Sequence, residues 1–267
     1  MLPIKALAII FGLLSLILGG FLIMPVQHPV FGTEGKWVSI FNGKDLDGWT
    51  AKLAGYELMD DPYQTFRVED GILKVSYAEY DTFRGEFGHL FYKKAFSHYR
   101  LRLEYRFVGE QAAGGPEWAF RNNGIMFHAQ PGGSMEVDQR FPVSLEFQLL
   151  GGDGSGKPRP TGNLCTPGMN VYVADTLTGQ HCIQSSGPTI DGDEWVKAEL
   201  YVDRNRIMHH IINGDTVLTY SRPEIGGRSL PEDYPAAEGT PVDVGYIALQ
   251  AETTPTEFRN IEIMVLD

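Results

Sequence analysis

A strict alternation of apolar and polar residues constrains this 267-residue chain more than any other feature. It is clearest in the segment 99–108, YRLRLEYRFV. Successive side chains of a β-strand point to opposite faces, so this period predicts a strand with one apolar and one charged face. The apolar face comprises Leu101, Leu103, Tyr105 and Phe107, and the charged face comprises Arg100, Arg102, Glu104 and Arg106.

Short segments of this kind recur along the chain and are separated by turn signals. Asp70-Gly71 and Asn213-Gly214 are typical of tight hairpins. No long, capped amphipathic helix is indicated beyond the first 26 residues. The pattern therefore predicts an all-β sandwich of two antiparallel sheets, forming one domain over residues 36–267.

Two further predicted strands carry polar side chains on one face. Segment 144–150, SLEFQLL, places Glu146 and Gln148 on the face opposite Leu145, Phe147 and Leu149. Segment 122–128, NNGIMFH, precedes it. If the two strands are neighbours in one sheet, a carboxylate, amides and an imidazole share a surface. The alternative is an ordinary solvated sheet face, which is common in antiparallel sheets.

The N-terminus predicts export. Residues 6–26 contain no charged side chain and are long enough to cross a bilayer as a helix. We expect residues 1–26 to be a hydrophobic helix, acting as a signal anchor or a cleaved signal peptide, followed by a linker over 27–35. The remaining chain would then lie in the periplasm or outside the cell, held to the membrane or secreted.

Cys165 and Cys182 are the two cysteines of the chain. Export makes a disulfide between them plausible, and two buried free thiols are the alternative. The formal net charge of −12 argues against a nucleic-acid partner, because binding phosphates requires a basic surface.

Several segments together resemble the DUF1080 family, also called the 3-keto-disaccharide hydrolase domain, in both order and spacing. They are FNGKDLDGW (41–49), VEDGIL (68–73), YRLRLEYRF (99–107), NNGIMFH (122–128), LEFQLL (145–150), GYIALQ (245–250) and EFRNIEI (257–263). The resemblance implies a concanavalin A-like (LamG-like) jelly roll. It also implies an exported protein acting on 3-keto-glycosides as a hydrolase, lyase or hydratase.

Such chemistry makes definite demands on a site. A ketone at C3 acidifies the proton on C2, and its removal gives an enolate that can expel the C1 substituent before water adds. The site needs a base, a group that stabilises the enolate oxygen, and an acid for the leaving oxygen. Glu146 and His128 are the candidates for base and acid, in either order. The alternatives are that Glu146 only accepts a hydrogen bond from a hydroxyl group and that His128 only bonds a loop carbonyl.

The predicted substrate-binding residues fall into two sets. Gln148 shares the face of Glu146, whereas strand alternation lets only one of Asn122 and Asn123 do so. Parity with His128 favours Asn122, and a bulge near Gly124 would reverse this. The second set, Arg102, Glu104, Arg106 and Lys93, could polarise a ketone or bind hydroxyls, or could simply form a solvated, salt-bridged face.

No motif specifies a cofactor. A divalent metal is possible, but the sequence does not specify its ligands. Neither an Asp-x-Asp-x-Asp loop nor a His-x-His pair is present. The sequence does not indicate an oligomeric state. Two non-enzymatic alternatives also remain, a carbohydrate-binding module and an envelope interaction domain, because a fold does not by itself fix a function.

Overall fold

The computed structural model describes residues 35–267, which form seventeen β-strands and two short 3-10 turns, Glu117–Ala119 and Gly132–Ser134. The strands are β1 Val38–Ser39, β2 Trp49–Leu53, β3 Phe66–Glu69, β4 Ile72–Val75, β5 Gly88–Phe96, β6 His98–Phe107, β7 Asn122–Ala129, β8 Leu145–Leu150, β9 Asn163–Cys165, β10 Met169–Val173, β11 Thr176–Thr178, β12 Cys182–Ile183, β13 Val196–Asp203, β14 Ile207–Ile212, β15 Asp215–Ile225, β16 Gly245–Ala251 and β17 Thr256–Val265.

The strands form two antiparallel sheets. The ten-stranded sheet has the order β11-β10-β15-β14-β13-β6-β17-β4-β3, with β1 paired to β17. The seven-stranded sheet has the order β12-β9-β8-β7-β16-β5-β2. The chain crosses between the sheets repeatedly, as from β5 to β6 and from β6 to β7. This confirms the predicted all-β, concanavalin A-like jelly roll.

The core lies between the sheets and is built by the alternation seen in the sequence. The apolar face of β6 is buried, and so are Leu145, Phe147 and Leu149 of β8, all within one cluster. Burying each such side chain contributes about 1.5–3 kcal/mol. The opposite faces of β6 and β8 therefore point away from the core, one on each side of the sandwich.

Both predicted hairpins are present, joining β3 to β4 and β14 to β15. Asp70 and Gly71 have φ values of 53° and 78°, as a two-residue hairpin turn requires. Residues 49–53 form β2, and residues 151–168 are a loop interrupted by one short strand. That segment contains β9, whose short run gives no periodic signal and which forms by pairing with β8.

Cys165 and Cys182 form a disulfide, which confirms the predicted pairing and excludes free thiols. The two residues face each other across β9 and β12, at the edge of the seven-stranded sheet. The predicted N-terminal helix, whether signal anchor or signal peptide, lies outside the described residues. Within residues 35–267, no helix has the length and apolar character needed to span a membrane.

Candidate active site

A row of polar side chains crosses the outer face of the seven-stranded sheet. Strand register pairs Lys52 with His89 and His89 with Gln250 on one side. It pairs Gly124 with Gln148 and Gln148 with Asn163 on the other. The two halves join because the pairing of Leu249 with Ile125 places Gln250 beside Gly124. Neighbouring strands are about 4.8 Å apart, so the row is continuous.

Glu146 reaches this row because residue 124 is a glycine. A Cβ atom at position 124 would lie only 2.7 Å from Glu146 Cγ and 2.7 Å from Glu146 Oε1. The carboxyl group therefore lies across the backbone of β7, between the two glutamines of the row. No other residue type would leave that space free.

The environment of Glu146 opposes its ionisation. The side chain is 6% exposed, and burial raises the pKa of Glu146 to about 8. A second carboxyl, Glu252, follows β16 and lies beside Asn122 by the same register. Burial and the charge of Glu146 raise the pKa of Glu252 well above its ordinary value, whereas Arg159 and a hydrogen bond from Asn122 lower it. The two carboxyl groups thus form an interacting, buried pair.

Buried polar atoms without a protein partner are concentrated here. Residues 35–267 contain twelve such side-chain atoms, and seven belong to five residues of this face. Native proteins leave few buried polar groups unpaired, so such a concentration indicates groups that bind a polar ligand. The five residues are His89, Asn122, Glu146, Gln250 and Glu252.

His89 is a neutral hydrogen-bonding group in this site. Burial, followed by the charge of Lys52, lowers the pKa of His89 to about 3. The Lys52 ammonium donates hydrogen bonds to the carbonyl oxygens of Leu53, Tyr56 and Val137 at 2.8–2.9 Å. Lys52 therefore holds backbone in place, and neither ring nitrogen of His89 has a protein partner.

A covering segment, residues 130–143, packs on the apolar part of the same face. Met135 contacts the cluster of Phe91, Met126 and Ala248, and the Phe141 ring lies 6.0 Å from the His89 ring. Lys52 fastens the segment through its bond to Val137. This cover helps to withdraw His89 and its apolar neighbours from water.

The structure brings three of the predicted residues together on the outer face of the seven-stranded sheet and places the others elsewhere. Glu146, Gln148 and Asn122 share the outer face, and Gln148 Oε1 accepts a hydrogen bond from Asn163 at 3.0 Å. Asn123 points to the opposite side, where its amide donates to Thr256 at 3.2 Å and its carbonyl oxygen accepts from the Gly124 N–H. Asn122, which parity with His128 favoured, therefore lies on the face of Glu146, although His128 itself does not.

His128 does not join Glu146. Two residues of β7, Phe127 and His128, oppose Ile247 alone, and His128 has a φ of 47°. This bulge turns the imidazole away from the outer face, so that Nε2 bonds the carbonyl of Arg204 at 2.9 Å. Burial lowers the pKa of His128 to about 4. The geometry gives no support to its predicted role as acid or base beside Glu146.

The charged set on β6 lies on the other sheet. Arg102 pairs with Glu262 at 2.7 Å, Glu104 pairs with Arg259 at 2.6 Å, and Arg106 pairs with Glu257 at 2.6 Å. These residues form the solvated, salt-bridged face that was the alternative interpretation. Lys93 is exposed on β5, with its ammonium beside Gly48 rather than beside Glu146.

Comparison with known proteins places the chain in a family. The model of the 3-keto-alpha-glucoside-1,2-lyase-like domain matches residues 36–264. The chain belongs to this family. No curated protein matches the chain significantly. The polar row, both carboxyl groups and the covering segment all lie within the matched residues of this 3-keto-alpha-glucoside-1,2-lyase-like domain.

Two solved structures, both from Parabacteroides distasonis ATCC 8503 and both described as glycosyl hydrolases, share the fold. The first is 20% identical with a TM-score of 0.51, covering 88% of this chain and 95% of its own. The second is 18% identical with a TM-score of 0.51, covering 86% of this chain and 100% of its own. At these identities the likeness establishes the jelly roll alone.

Sequence reasoning missed Glu252, Gln250 and His89. A usable signal was present, because Gln250 and Glu252 are spaced like Glu146 and Gln148, two positions apart in an otherwise apolar strand. His89 and Phe91 have the same spacing on β5. What the sequence lacked was the order of strands that places β5, β16, β7 and β8 side by side.

Within residues 35–267, no group of three or more His, Cys, Asp or Glu side chains is arranged to hold a metal ion. The site as described consists of carboxyl, amide and imidazole groups. These groups suit proton transfer and hydrogen bonding to a polyhydroxylated ligand.

Proposed function

We propose that the protein is an exported enzyme that cleaves 3-keto-glycosides by abstracting the C2 proton, eliminating the C1 substituent and adding water. The observation that carries this proposal is the buried pair Glu146 and Glu252, set among unpartnered amide and imidazole groups, in a chain of this family. A pair of interacting carboxyl groups supplies one base and one acid in the same protonation state of the enzyme.

Glu146 is the base of this mechanism. The pKa of about 8 indicates that Glu146 is ionised in a fraction of molecules near neutral pH, and its charge then keeps Glu252 protonated. A carboxylate withdrawn from water is also a stronger base than one on the surface. The C2 proton passes to Glu146, and the C–H electrons form the C2–C3 double bond of the enolate.

His89 and Gln250 are placed to stabilise the negative charge that develops on the C3 oxygen. Gln250 lies beside Gly124, over which the Glu146 carboxyl rests, and His89 lies beside Gln250 on the next strand. Each carries a donor without a protein partner, the neutral imidazole in one case and the amide Nε2 in the other. Donors fixed in a water-poor site stabilise an oxyanion more strongly than they do in water.

Glu252 is the acid. As the enolate collapses, its electrons form the C1–C2 double bond while the C1–O bond breaks, and Glu252 gives its proton to the departing oxygen. Water then adds at C1 with Glu252 as base, and Glu146 returns its proton to C2. The sum of these steps is hydrolysis, and release before water addition would make the same enzyme a lyase.

Two features support export. The disulfide Cys165–Cys182 is typical of proteins that fold in an oxidising compartment. The uncharged run over residues 6–26 suits a segment that directs the chain to the membrane and holds it there or is removed. The catalytic domain would meet its sugar substrate outside the cytoplasm.

The test is turnover of a purified 3-keto-glucoside by the wild type and two variants. We expect Glu146→Gln to lower kcat/KM by about 10²–10⁴, the usual contribution of a positioned acid or base. Glu252→Gln should have its largest effect on substrates with poor leaving groups, because an activated leaving group needs no proton. Glu262→Gln, on the other sheet, is the matched control and should retain full activity.

Full activity in Glu146→Gln would refute the assigned base. Binding of the 3-keto-glucoside without turnover by the wild type would replace the proposal with a carbohydrate-binding module on the same face.

A further inference from the structure

A polar pocket opens next to the buried site. It has a volume of about 370 Å³, which lies within the range of small-ligand pockets. The charged residues of its lining are Arg84, Glu86, Asp138 and Arg140. Asp138 and Arg140 belong to the covering segment, and Arg84 and Glu86 immediately precede β5, the strand that carries His89.

Aromatic contacts connect this pocket to the site. The Arg140 guanidinium lies 6.0 Å from the Phe87 ring, and the Phe141 ring packs 5.1 Å from the Phe87 ring. Phe141 in turn contacts His89. The side chains of Phe87 and Phe141 therefore connect the pocket to the proposed reacting centre.

Trp118 forms an exposed platform on Phe87, the same ring that Arg140 approaches. Its ring stacks on Phe87 with centroids 5.6 Å apart and an interplanar angle of 20°. Even so, 54% of the residue is exposed, although exposed tryptophan is uncommon in a folded domain. One ring face is thus supported by Phe87 while the other is accessible to the apolar face of a sugar.

The charged groups of the pocket are available to a ligand. Within residues 35–267, neither Arg84 nor Arg140 forms an ion pair. Glu86 is 8% exposed and accepts a hydrogen bond from the Arg84 backbone N–H at 2.6 Å, which fixes its carboxylate at the pocket wall. Two guanidinium groups and two carboxylates balance formally, so the pocket suits a neutral ring rich in hydroxyls better than an anionic one.

We propose that Trp118, Arg84, Glu86 and Arg140 form an outer subsite that binds the departing sugar of the substrate, and that this sugar is a neutral pyranose. The proposal rests on the proposed function, since it assigns the leaving group of that reaction. Trp118 stacks on the ring, and the charged side chains bind its hydroxyls. The inner, buried residues act on the oxidised ring alone.

The experiment compares two substrates that differ only in the leaving group. One is a 3-keto-disaccharide made of two glucose units, and the other is methyl 3-keto-glucoside. We expect Trp118→Ala and Arg140→Ala to lower kcat/KM for the disaccharide at least tenfold, mainly through KM, and to change the methyl glycoside less than twofold. Arg206→Ala, an exposed arginine remote from the pocket, should change neither. Thermal melts establish that the variants are folded.

Equal losses on both substrates, or no loss on either, would overturn the subsite. If the wild type turns over neither substrate, the proposed function fails, and disaccharide binding followed by tryptophan fluorescence decides the subsite separately. Binding that is lost in Arg140→Ala would sustain it, whereas equal binding by both proteins, or no binding to the wild type, would overturn it.

Discussion

The buried position of Glu146 lowers the stability of the folded protein when the carboxyl is ionised, and it also raises the basicity of that carboxylate. Burial is the only cause that shifts the pKa of Glu146. Among the residues that the structure describes, no neighbouring positive charge compensates the ionised carboxylate for the hydration that it loses. Such a cost is seldom retained at a position that serves packing alone. The perturbed pKa, the unpartnered oxygen and the crowding against Gly124 all point to the same functional group.

The first residue-scale prediction concerns stability and pH. The folded-state pKa of Glu146 lies above its unfolded value, so its contribution to stability is fully present below about pH 4.5 and is lost as pH rises to about 8. Over this window the loss approaches about 1.4 kcal/mol per pH unit. Glu146→Gln removes the effect and should become more stable than the wild type as pH increases. Urea unfolding from pH 5 to 8 measures the difference, and a constant difference would contradict the burial of this carboxyl.

The second prediction concerns Gly124. A methyl group there must displace the Glu146 side chain, whereas the backbone conformation at this residue needs no glycine. We expect Gly124→Ala to lower kcat/KM at least about tenfold, because small displacements of a catalytic group are costly. Gly179→Ala is the matched control, since a Cβ at position 179 meets nothing within 4 Å. An active Gly124→Ala variant with an unchanged pH profile would argue against this placement of Glu146.

At the scale of elements, a disulfide bond stabilises the edge of the seven-stranded sheet, next to the strands that carry the site. β12 has two residues and β9 has three, too few to pair stably without help. The disulfide joins them at directly opposed positions, and Cys165 is itself opposite Glu146 on β8. The bulge at His128 is the second feature at this scale. It turns the His128 side chain to the opposite face of β7 and leaves Asn122 on the outer face.

The prediction at this scale is loss of the disulfide. Cys165 and Cys182 are 17 residues apart, and closing a loop of this size contributes about 3 kcal/mol in the chain-entropy model. For a domain of this size, replacing both cysteines by serine should lower Tm by about 6–12 °C. Thermal melts of the double variant, and of the wild type with and without reductant, measure the effect. A reductant-insensitive Tm in the wild type would show that the edge is held by packing instead.

At the scale of the whole molecule, the two sheets have the same sequence pattern and different uses. The outer face of the ten-stranded sheet pairs its charges, and its arginines also stack on tryptophans, as Arg102 does on Trp37 at 4.0 Å. Exposed pairs of this kind contribute little energy but keep the face soluble. The outer face of the seven-stranded sheet is instead partly covered by residues 130–143, and burial there shifts the pKa values of Glu146, Glu252 and His89.

The sequence by itself determined the class of fold, the apolar face of each long strand, both tight hairpins and the only two cysteines that could pair. Each of these follows from period-two alternation, from turn chemistry or from the pairing of two cysteines, which are properties of a short stretch or of composition. Parity also placed Glu146 and Gln148 together, because they are two positions apart on one strand.

Only the tertiary structure decided which sheet each polar face belongs to, and therefore that Arg102, Glu104 and Arg106 lie apart from Glu146. It also decided that Glu252, Gln250 and His89 belong beside that carboxyl, and that His128 does not. Alternation fixes the face of a strand but carries no information about its neighbours, since pairing between distant strands is set by the packing of the whole core. The shift in the pKa of Glu146 has the same origin, because its cause is burial, and burial depends on how the whole fold packs.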